Sequence, residues 1–207
     1  MKRILAVVFI IVCAFTFSAC SNGEETQGYL EILQSGTYRL QGNGIYGGQH
    51  LMILAYVDQG NIVASFRNDN DTPKSVAYED SKYYLFSESN RLRAEISEDY
   101  LSPNVFIPLV HYDFDTAEYK NSGKQEITGT TYYFDRYTIK MTDGTETLLE
   151  IYIDDTGNLY GIAFPQETTA ITVAELDPEL EDYEYTTLSD TEYTDVDPRQ
   201  IETLLGY

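Results

Sequence analysis

Runs of alternating apolar and polar residues, separated by turn residues, fill most of the chain after residue 29. Residues 50–68 are typical of a β-hairpin, because two β-rich runs flank the turn sequence Asp58-Gln59-Gly60-Asn61. In the first arm apolar residues occupy both sets of alternating positions, which predicts burial on both faces. The same patterns predict a strand pair at 82–97 and single strands at 37–42, 75–80, 127–141, 146–155, 159–164 and 169–176.

Three of these strands, between residues 127 and 164, are predicted to form a meander. Its turns are Asp143-Gly144 and the segment 155–158, which carry the residues that tight hairpin turns require. In the middle strand the aliphatic residues at every second position from Leu149 to Ile153 share one face. The opposite face of that strand mixes apolar and charged residues, so one dry and one mixed face are expected.

Helical and irregular segments are few. A short helix is predicted from Tyr29, with Gly36 as its C-cap, and a terminal helical turn is predicted after Asp197 as its N-cap. Residues 101–115 contain two prolines and predict a loop or one helical turn. Residues 115–126 are polar and rich in turn formers, which predicts an irregular connection.

The beginning of the chain follows the plan of an export signal. Lys2 and Arg3 precede an uncharged apolar segment, 4–17. As a helix it would span about 20 Å, short of the ~30 Å hydrocarbon core of a bilayer. The sequence Phe-Ser-Ala-Cys that follows, ending at Cys20, resembles the lipobox of bacterial lipoproteins. This resemblance implies acylation of the Cys20 thiol and removal of residues 1–19. The alternatives are an ordinary secretory signal and a single-span anchor with a chance cysteine.

The lipobox interpretation fixes the expected layout of the mature chain. Residues 20–28 are polar and predict a flexible tether, and 29–207 predict a single domain. The only other cysteine, Cys13, lies in the segment to be removed. The mature chain would therefore form no disulfide and offer no thiol nucleophile. We expect acyl chains to hold it at the cell membrane, on the extracytoplasmic side.

Composition adds a strong acidic bias. The 13 Lys and Arg residues against 34 Asp and Glu residues give a net charge of −21. Nucleic acid is excluded as a partner, because its binding depends on Lys and Arg neutralising phosphates. Residues 175–197 carry ten acidic residues and no basic one. Leucine and tyrosines interrupt this acidic segment, so we expect it to lie extended along the domain rather than to be disordered.

Three segments together resemble a known family. Residues 82–96 form a Tyr-rich strand that turns and returns, 123–164 form a long meander with a Tyr-Tyr strand, and 182–197 form a closing extended segment. Their order is similar to that of bacterial lipoprotein carriers of the LolA/LppX type. The resemblance implies a mainly β, α+β fold: a curved antiparallel sheet that forms an unclosed half-barrel. In that family helices cover the concave side and enclose an apolar cavity for lipids or acyl chains. This sequence predicts only a few short helices.

Candidate chemistry is sparse. His111, Asp113 and Asp115 would share one face of an extended segment, a spacing that a divalent cation could use, but a solvated polar edge is the interpretation we favour.

Tyr132, Tyr133 and Tyr137 could stack on sugars, although alternation along a strand favours packing. Motifs of serine hydrolases, zinc peptidases and phosphate-binding loops are missing from the sequence. We therefore predict no catalytic residues, no cofactor and no metal site; Cys20, as the lipidation site, is the one site residue.

These observations lead to two functional hypotheses. The first is a non-enzymatic, membrane-anchored lipoprotein that binds a hydrophobic ligand, a lipid or an acyl chain, on the concave face of a curved sheet. The alternative is an acidic interaction module at the cell surface that binds an envelope protein, a cation or a wall polymer and has no ligand cavity.

Overall fold

The computed structural model describes residues 25–46, 49–67, 74–97, 100, 108–167, 169–180, 188 and 193–205. The first 3₁₀ turn covers Pro108–His111 and the second covers Pro165–Glu167. The helices and strands, numbered in chain order, are α1 (Gln27–Gln34), β1 (Thr37–Tyr46), β2 (Gln49–Asp58), β3 (Asn61–Arg67), β4 (Lys74–Glu79), β5 (Lys82–Ser87), β6 (Leu92–Ile96), β7 (Tyr112–Ile127), β8 (Thr130–Met141), β9 (Glu146–Ile153), β10 (Leu159–Phe164), β11 (Thr169–Asp177), β12 (Thr194–Asp195) and α2 (Pro198–Leu205).

The described strands form one sheet, in the order β12-β6-β5-β4-β3-β2-β1-β11-β10-β9-β8-β7. Two antiparallel meanders, β1–β6 and β7–β11, are joined where β1 pairs with β11. Among the strands that the structure describes, only β12 runs parallel to its neighbour, β6. In the described ranges β12 and β7 are the two edges of the sheet, so the sheet is curved but not closed. The predicted mainly β fold with an unclosed sheet and few short helices is confirmed.

The two faces of the sheet differ in what covers them. Leu30 and Leu33 of α1 and Ile201 of α2 pack into one hydrophobic cluster with inward residues of the strands, and we call this side the core face. The rings of Tyr112 in β7 and Phe164 in β10 stack there with centroids 3.9 Å apart. These strands are three positions apart, about 14 Å in a flat sheet, so the rings meet because the sheet curls toward the core face. The opposite side is called the open face.

Several side chains of the core face are completely enclosed by the protein. Leu40, Leu149, Ile151, Phe164 and Ile201 have 0% of their surface exposed. A side chain with no accessible surface borders no space large enough for a water molecule, which leaves no room for a guest beside these residues. The concave-face ligand predicted from the sequence is therefore not placed next to them, and that part of the hypothesis stays a prediction.

The segment 115–126 was predicted to be irregular, and this prediction is wrong. It belongs to the long strand β7, which pairs with β8 from Tyr112 to Ile127. Register shifts between Asp113 and Glu118 and between Tyr119 and Asn121 interrupt the pairing. Most side chains of its second half are exposed. Apolar alternation is absent because this part of an edge strand has no core to cover, and bulges are common at such edges.

The first strand is longer than its pattern suggested. The prediction ended β1 at residue 42, whereas the strand continues to Tyr46 through two glycines. A Cβ on Gly42 would lie 2.4 Å from the carbonyl oxygen of Thr172 in β11, and the register shifts at this point. Gly42 therefore permits a close approach of the two strands that join the meanders.

The two helices in the described ranges each have a residue at one end that explains where the helix begins or stops. Helix α1 begins at Gln27, within the predicted tether, and is followed by Gly36 with φ +68°, as expected of a C-terminal glycine. At α2 the backbone N–H of Arg199 donates to Asp197 Oδ1 at 2.9 Å, which confirms the predicted N-cap.

Candidate functional site

The open face of β2 carries an uncovered apolar row. The core-side residues of this strand are buried, but on the open face Met52 is 43% exposed and Leu54 and Tyr56 are only partly buried. The sequence predicted burial on both faces, and this prediction is wrong for the open face. The open face of β2 therefore leaves a strip of apolar side chains partly open to solvent.

Two adjoining grooves lie along this row. The first has a volume of about 290 Å³ and is lined by Met52, Leu54 and Ser65, among others. The second has a volume of about 260 Å³ and shares Leu54 and Ser65 with the first. Each lies just below the lower end of the ~300–1,000 Å³ range that is usual for small-molecule sites. Leu54 and Ser65, which face each other across β2 and β3, mark the junction of the two grooves.

The ends of this double groove differ in polarity. The first groove is bordered by the amides of Gln41 and Asn43 and by Arg67, whose guanidinium Nη2 donates to Met52 Sδ at 2.9 Å. The second groove is bordered by Phe86 and Tyr193, whose rings meet edge to face with centroids 6.1 Å apart. The double groove thus combines an end that carries a guanidinium and two amides with an end where the aromatic rings stand beside the carboxylate of Glu88.

The acidic terminal segment forms the wall at the aromatic end. Leu188 is buried on the open face against Val63, Ala77 and Phe86. Its backbone N–H donates to Glu79 Oε1 at 3.2 Å, and its carbonyl accepts from Arg93 Nη1 at 3.0 Å. The segment therefore packs against the sheet at Leu188. Its extended path along the domain stays a prediction, because residues 181–187 and 189–192 lie outside the described ranges.

An ion pair between a buried carboxylate and a partly exposed guanidinium lies elsewhere on the open face. Glu150 of β9 accepts from Arg136 Nε at 2.7 Å, and the hydroxyl of Tyr152 also donates to it. Burial, followed by the hydrogen bond to Glu150, raises the pKa of Tyr152 well above its usual value. These contacts compensate the burial of the carboxylate, as a buried charge requires. The mixed face predicted for β9 is therefore partly a charged network within the protein.

A second polar network fastens the beginning of α1 to the sheet. Thr26 Oγ1 donates to Asp135 Oδ2 at 2.8 Å and lies 2.8 Å from the hydroxyl oxygen of Tyr137. Ser122 of β7 donates to the other oxygen of Asp135. Burial raises the pKa of the Tyr137 hydroxyl. These hydrogen bonds link the four side chains in series, so the cluster ties the start of the folded body to the β7–β8 hairpin.

The other residues considered from the sequence are dispersed. Cys20 lies outside the described residues. Asp113 and Asp115 are exposed on β7 after His111, and among the described side chains no three metal-ligating groups cluster. Within the same ranges, no helix has the length and apolar character needed to cross a bilayer.

The three tyrosines considered for sugar stacking have separate environments. Tyr137 is buried in the core face, Tyr132 stacks on Tyr160 with ring centroids 3.7 Å apart, and Tyr133 is exposed. The sequence did not identify the groove residues, since nothing in the alternation shows which face of β2 stays uncovered.

Comparison with known proteins gives distant structural likenesses. No protein-family model matches the chain, and no curated protein matches it. The chain is similar to the crystal structure of MucB (11% identity, 78% of this chain and 61% of that chain, TM-score 0.34). It is also similar to the Pseudomonas aeruginosa MucA/MucB complex, with 11% identity over 86% of this chain and 64% of that chain and a TM-score of 0.35. An uncharacterized conserved protein from Thermus thermophilus is similar with 9% identity over 90% of this chain and 94% of that chain and a TM-score of 0.39. The chain spans about three fifths of the MucB chains, and at these similarities no family is assigned.

Proposed function

We propose that this protein is a lipid-anchored, extracytoplasmic, non-enzymatic binding protein whose open-face groove holds an amphiphile with one acyl chain and an anionic head group. The observation that carries the proposal is the uncovered apolar row of β2, bounded by Arg67 at one end and by Phe86 and Tyr193 at the other. An acyl chain matches the apolar lining, and a carboxylate or phosphate matches a guanidinium.

The location of the proposed site differs from the one inferred from sequence. The family resemblance pointed to the concave face, whereas the described part of that face is packed around Leu149 and Phe164. The anchor proposed at Cys20 would hold the groove near a bilayer, which is a source of single-chain amphiphiles. Acyl anchoring is consistent with the charge of −21, because an acidic surface gains nothing from electrostatic adsorption to anionic lipids.

We predict that Ser65→Phe blocks the groove. Ser65 borders both halves, so a phenyl ring at this position would occupy their junction and exclude an acyl chain. Membranes that contain the full chain are incubated with a photoreactive fatty acid, and labelled peptides are mapped by mass spectrometry. Labelling of the peptides that contain Met52, Leu54 and Phe86 should fall at least about tenfold, equivalent to ~1.4 kcal/mol of lost binding.

The matched control is Thr138→Phe, a similar enlargement at a partly buried open-face position of β8, outside the groove. In this variant the groove peptides should be labelled to the same extent as in the wild type. Label that falls mainly on core-face peptides in the wild type would place the ligand on the concave side and overturn the groove proposal. Label that survives Ser65→Phe unchanged would do the same.

A second candidate function is capture of an extended segment of an envelope protein on the same face. The observation that favours it is the chain's own segment at Leu188, whose backbone N–H and C=O are both held by side chains of the sheet. Glu79 and Arg93 thus contact polypeptide backbone directly. If the fatty acid labels no groove peptide and a crosslinker instead joins β2 or β3 to another protein, this second function replaces the first.

A further inference from the structure

Thr26, close to the first of the described residues, is fixed by buried contacts. Thr26 is only 1% exposed and is hydrogen-bonded to Asp135 and Tyr137 of β8. Cys20 precedes Thr26 by six residues. At ~3.5 Å per residue, the connection between them reaches at most ~21 Å. An acylated Cys20 would therefore keep this part of β8 within ~21 Å of the bilayer surface, whatever path the connection takes.

Tyrosines surround this attachment point. Tyr133 lies two residues before Asp135 on the same face of β8, about 7 Å along the strand, and is 44% exposed. Tyr119, paired with Tyr137 across β7 and β8, is 38% exposed. On the other face of β8 the partly exposed rings of Tyr132 and Tyr160 stack on each other. We call these four residues, Tyr119, Tyr132, Tyr133 and Tyr160, the tyrosine end.

Hairpin geometry places Tyr132 and Tyr133 near the border of the body, whereas Tyr119 lies further along the hairpin beside Tyr137. Residue pairing between β8 and β9 stops at Tyr133 and Ile153, while β7 and β8 remain paired as far as Ile127 and Thr130. The last residues of this hairpin therefore extend past the end of β9. Tyr29 of α1 donates to the carbonyl of Gly157 in the β9–β10 turn, so the start of the body and this end of the sheet are held together.

We infer that the tyrosine end rests in the head-group region of the membrane that holds Cys20. The inference depends on the anchor in the proposed function but not on the groove or its ligand. Tyrosine is favoured at the membrane–water interface because its ring is apolar and its hydroxyl remains hydrated. The short reach from Cys20 to Thr26 leaves this end of the body as the one held beside the lipid.

Charge specifies the kind of lipid surface. Lys124 pairs with Tyr133 across the hairpin, but Glu126 and Asp155 also lie at this end and the whole chain carries −21. Anionic head groups would be repelled, with the repulsion screened beyond about 8 Å at physiological salt. The surface is therefore suited to zwitterionic phospholipid, where ring insertion rather than net charge provides the attraction.

The absence of tryptophan from the sequence makes a direct test available. Tyr133→Trp gives a chain with a single tryptophan at the tyrosine end. Leu204→Trp, at a 58% exposed position of α2, gives the matched control near the other edge of the sheet. Each full-length, membrane-extracted protein is reconstituted into phosphatidylcholine vesicles, with and without phosphatidylcholine brominated near the head-group end of its acyl chains.

The expected result is a blue-shifted emission and bromine quenching for Tyr133→Trp, with neither change for Leu204→Trp. Equal quenching at both positions, or none at either, overturns the inference. Vesicle flotation is measured first, and a protein that does not float with the vesicles contradicts the proposed lipid anchor. A Tyr133→Trp protein that floats but has unquenched emission contradicts only the inferred membrane contact of the tyrosine end. If Tyr133→Trp does not fold, Tyr119→Trp serves as the reporter with the same two outcomes.

Discussion

Replacement of Cys20 by alanine is expected to abolish fatty-acid incorporation completely. In the lipobox interpretation the Cys20 thiol carries the diacylglycerol, and no other cysteine remains after cleavage. Cells that express the full chain are grown with labelled palmitate, and the purified protein is analysed for label and intact mass. The wild type should be labelled and should lack residues 1–19, whereas Cys20→Ala should be unlabelled and keep them. Two or three acyl chains at ~0.8 kcal/mol per methylene suffice for stable anchoring.

Cys13→Ala provides a matched control, because it removes the other cysteine from within the segment to be cleaved. This variant should be labelled and processed like the wild type. The intact mass of the wild type also separates the alternatives. A shorter, unlabelled chain would indicate an ordinary secretory signal, and an uncut, unlabelled chain would indicate a single-span anchor. Detergent partitioning alone does not separate these cases, since an uncut apolar segment also enters detergent.

Turn chemistry made much of the fold predictable from sequence. The hairpin of β2 and β3 turns at Asp58–Asn61 as predicted, and the meander β8–β10 has its turns where Gly144 and Gly157 adopt positive φ. These turns need specific residues whose conformational preferences are local, so the sequence alone reveals them. The same is true of the α2 N-cap, where a single aspartate side chain accepts from one of the first free backbone N–H groups.

Features that depend on tertiary context were not predictable. Strand β7 lacks alternation because its second half covers no core, and only its pairing with β8 identifies it as a strand. The open-face row of β2 has the same apolar composition as a doubly buried strand, so its exposure depends on what the rest of the chain leaves uncovered. The buried position of Leu188 likewise follows from contacts to Glu79 and Arg93, which are 109 and 95 residues away in sequence. Such long-range pairings leave no periodic signal.

Phe164→Ala tests whether the core face is a packed core or the lining of a ligand cavity. The ring is 0% exposed and stacks on Tyr112, so its removal should leave a void that the neighbouring strands cannot fill. The expected loss in the free energy of unfolding is about 3–5 kcal/mol. With a urea m-value of roughly 2 kcal/mol/M, the midpoint of urea unfolding, followed by far-UV circular dichroism, should fall by roughly 2 M.

The control for this variant is Phe134→Ala, the same truncation at a partly exposed open-face position of β8 where the ring contacts Tyr152 and Arg136. It should cost clearly less, because fewer contacts are lost and water can enter the space. A small effect of Phe164→Ala would contradict the packed core, since a ring that faces an empty cavity has few partners to lose. In that case a fatty acid added to the wild type should raise the urea midpoint, as expected of a ligand that binds only the folded state, and should raise it less after the truncation.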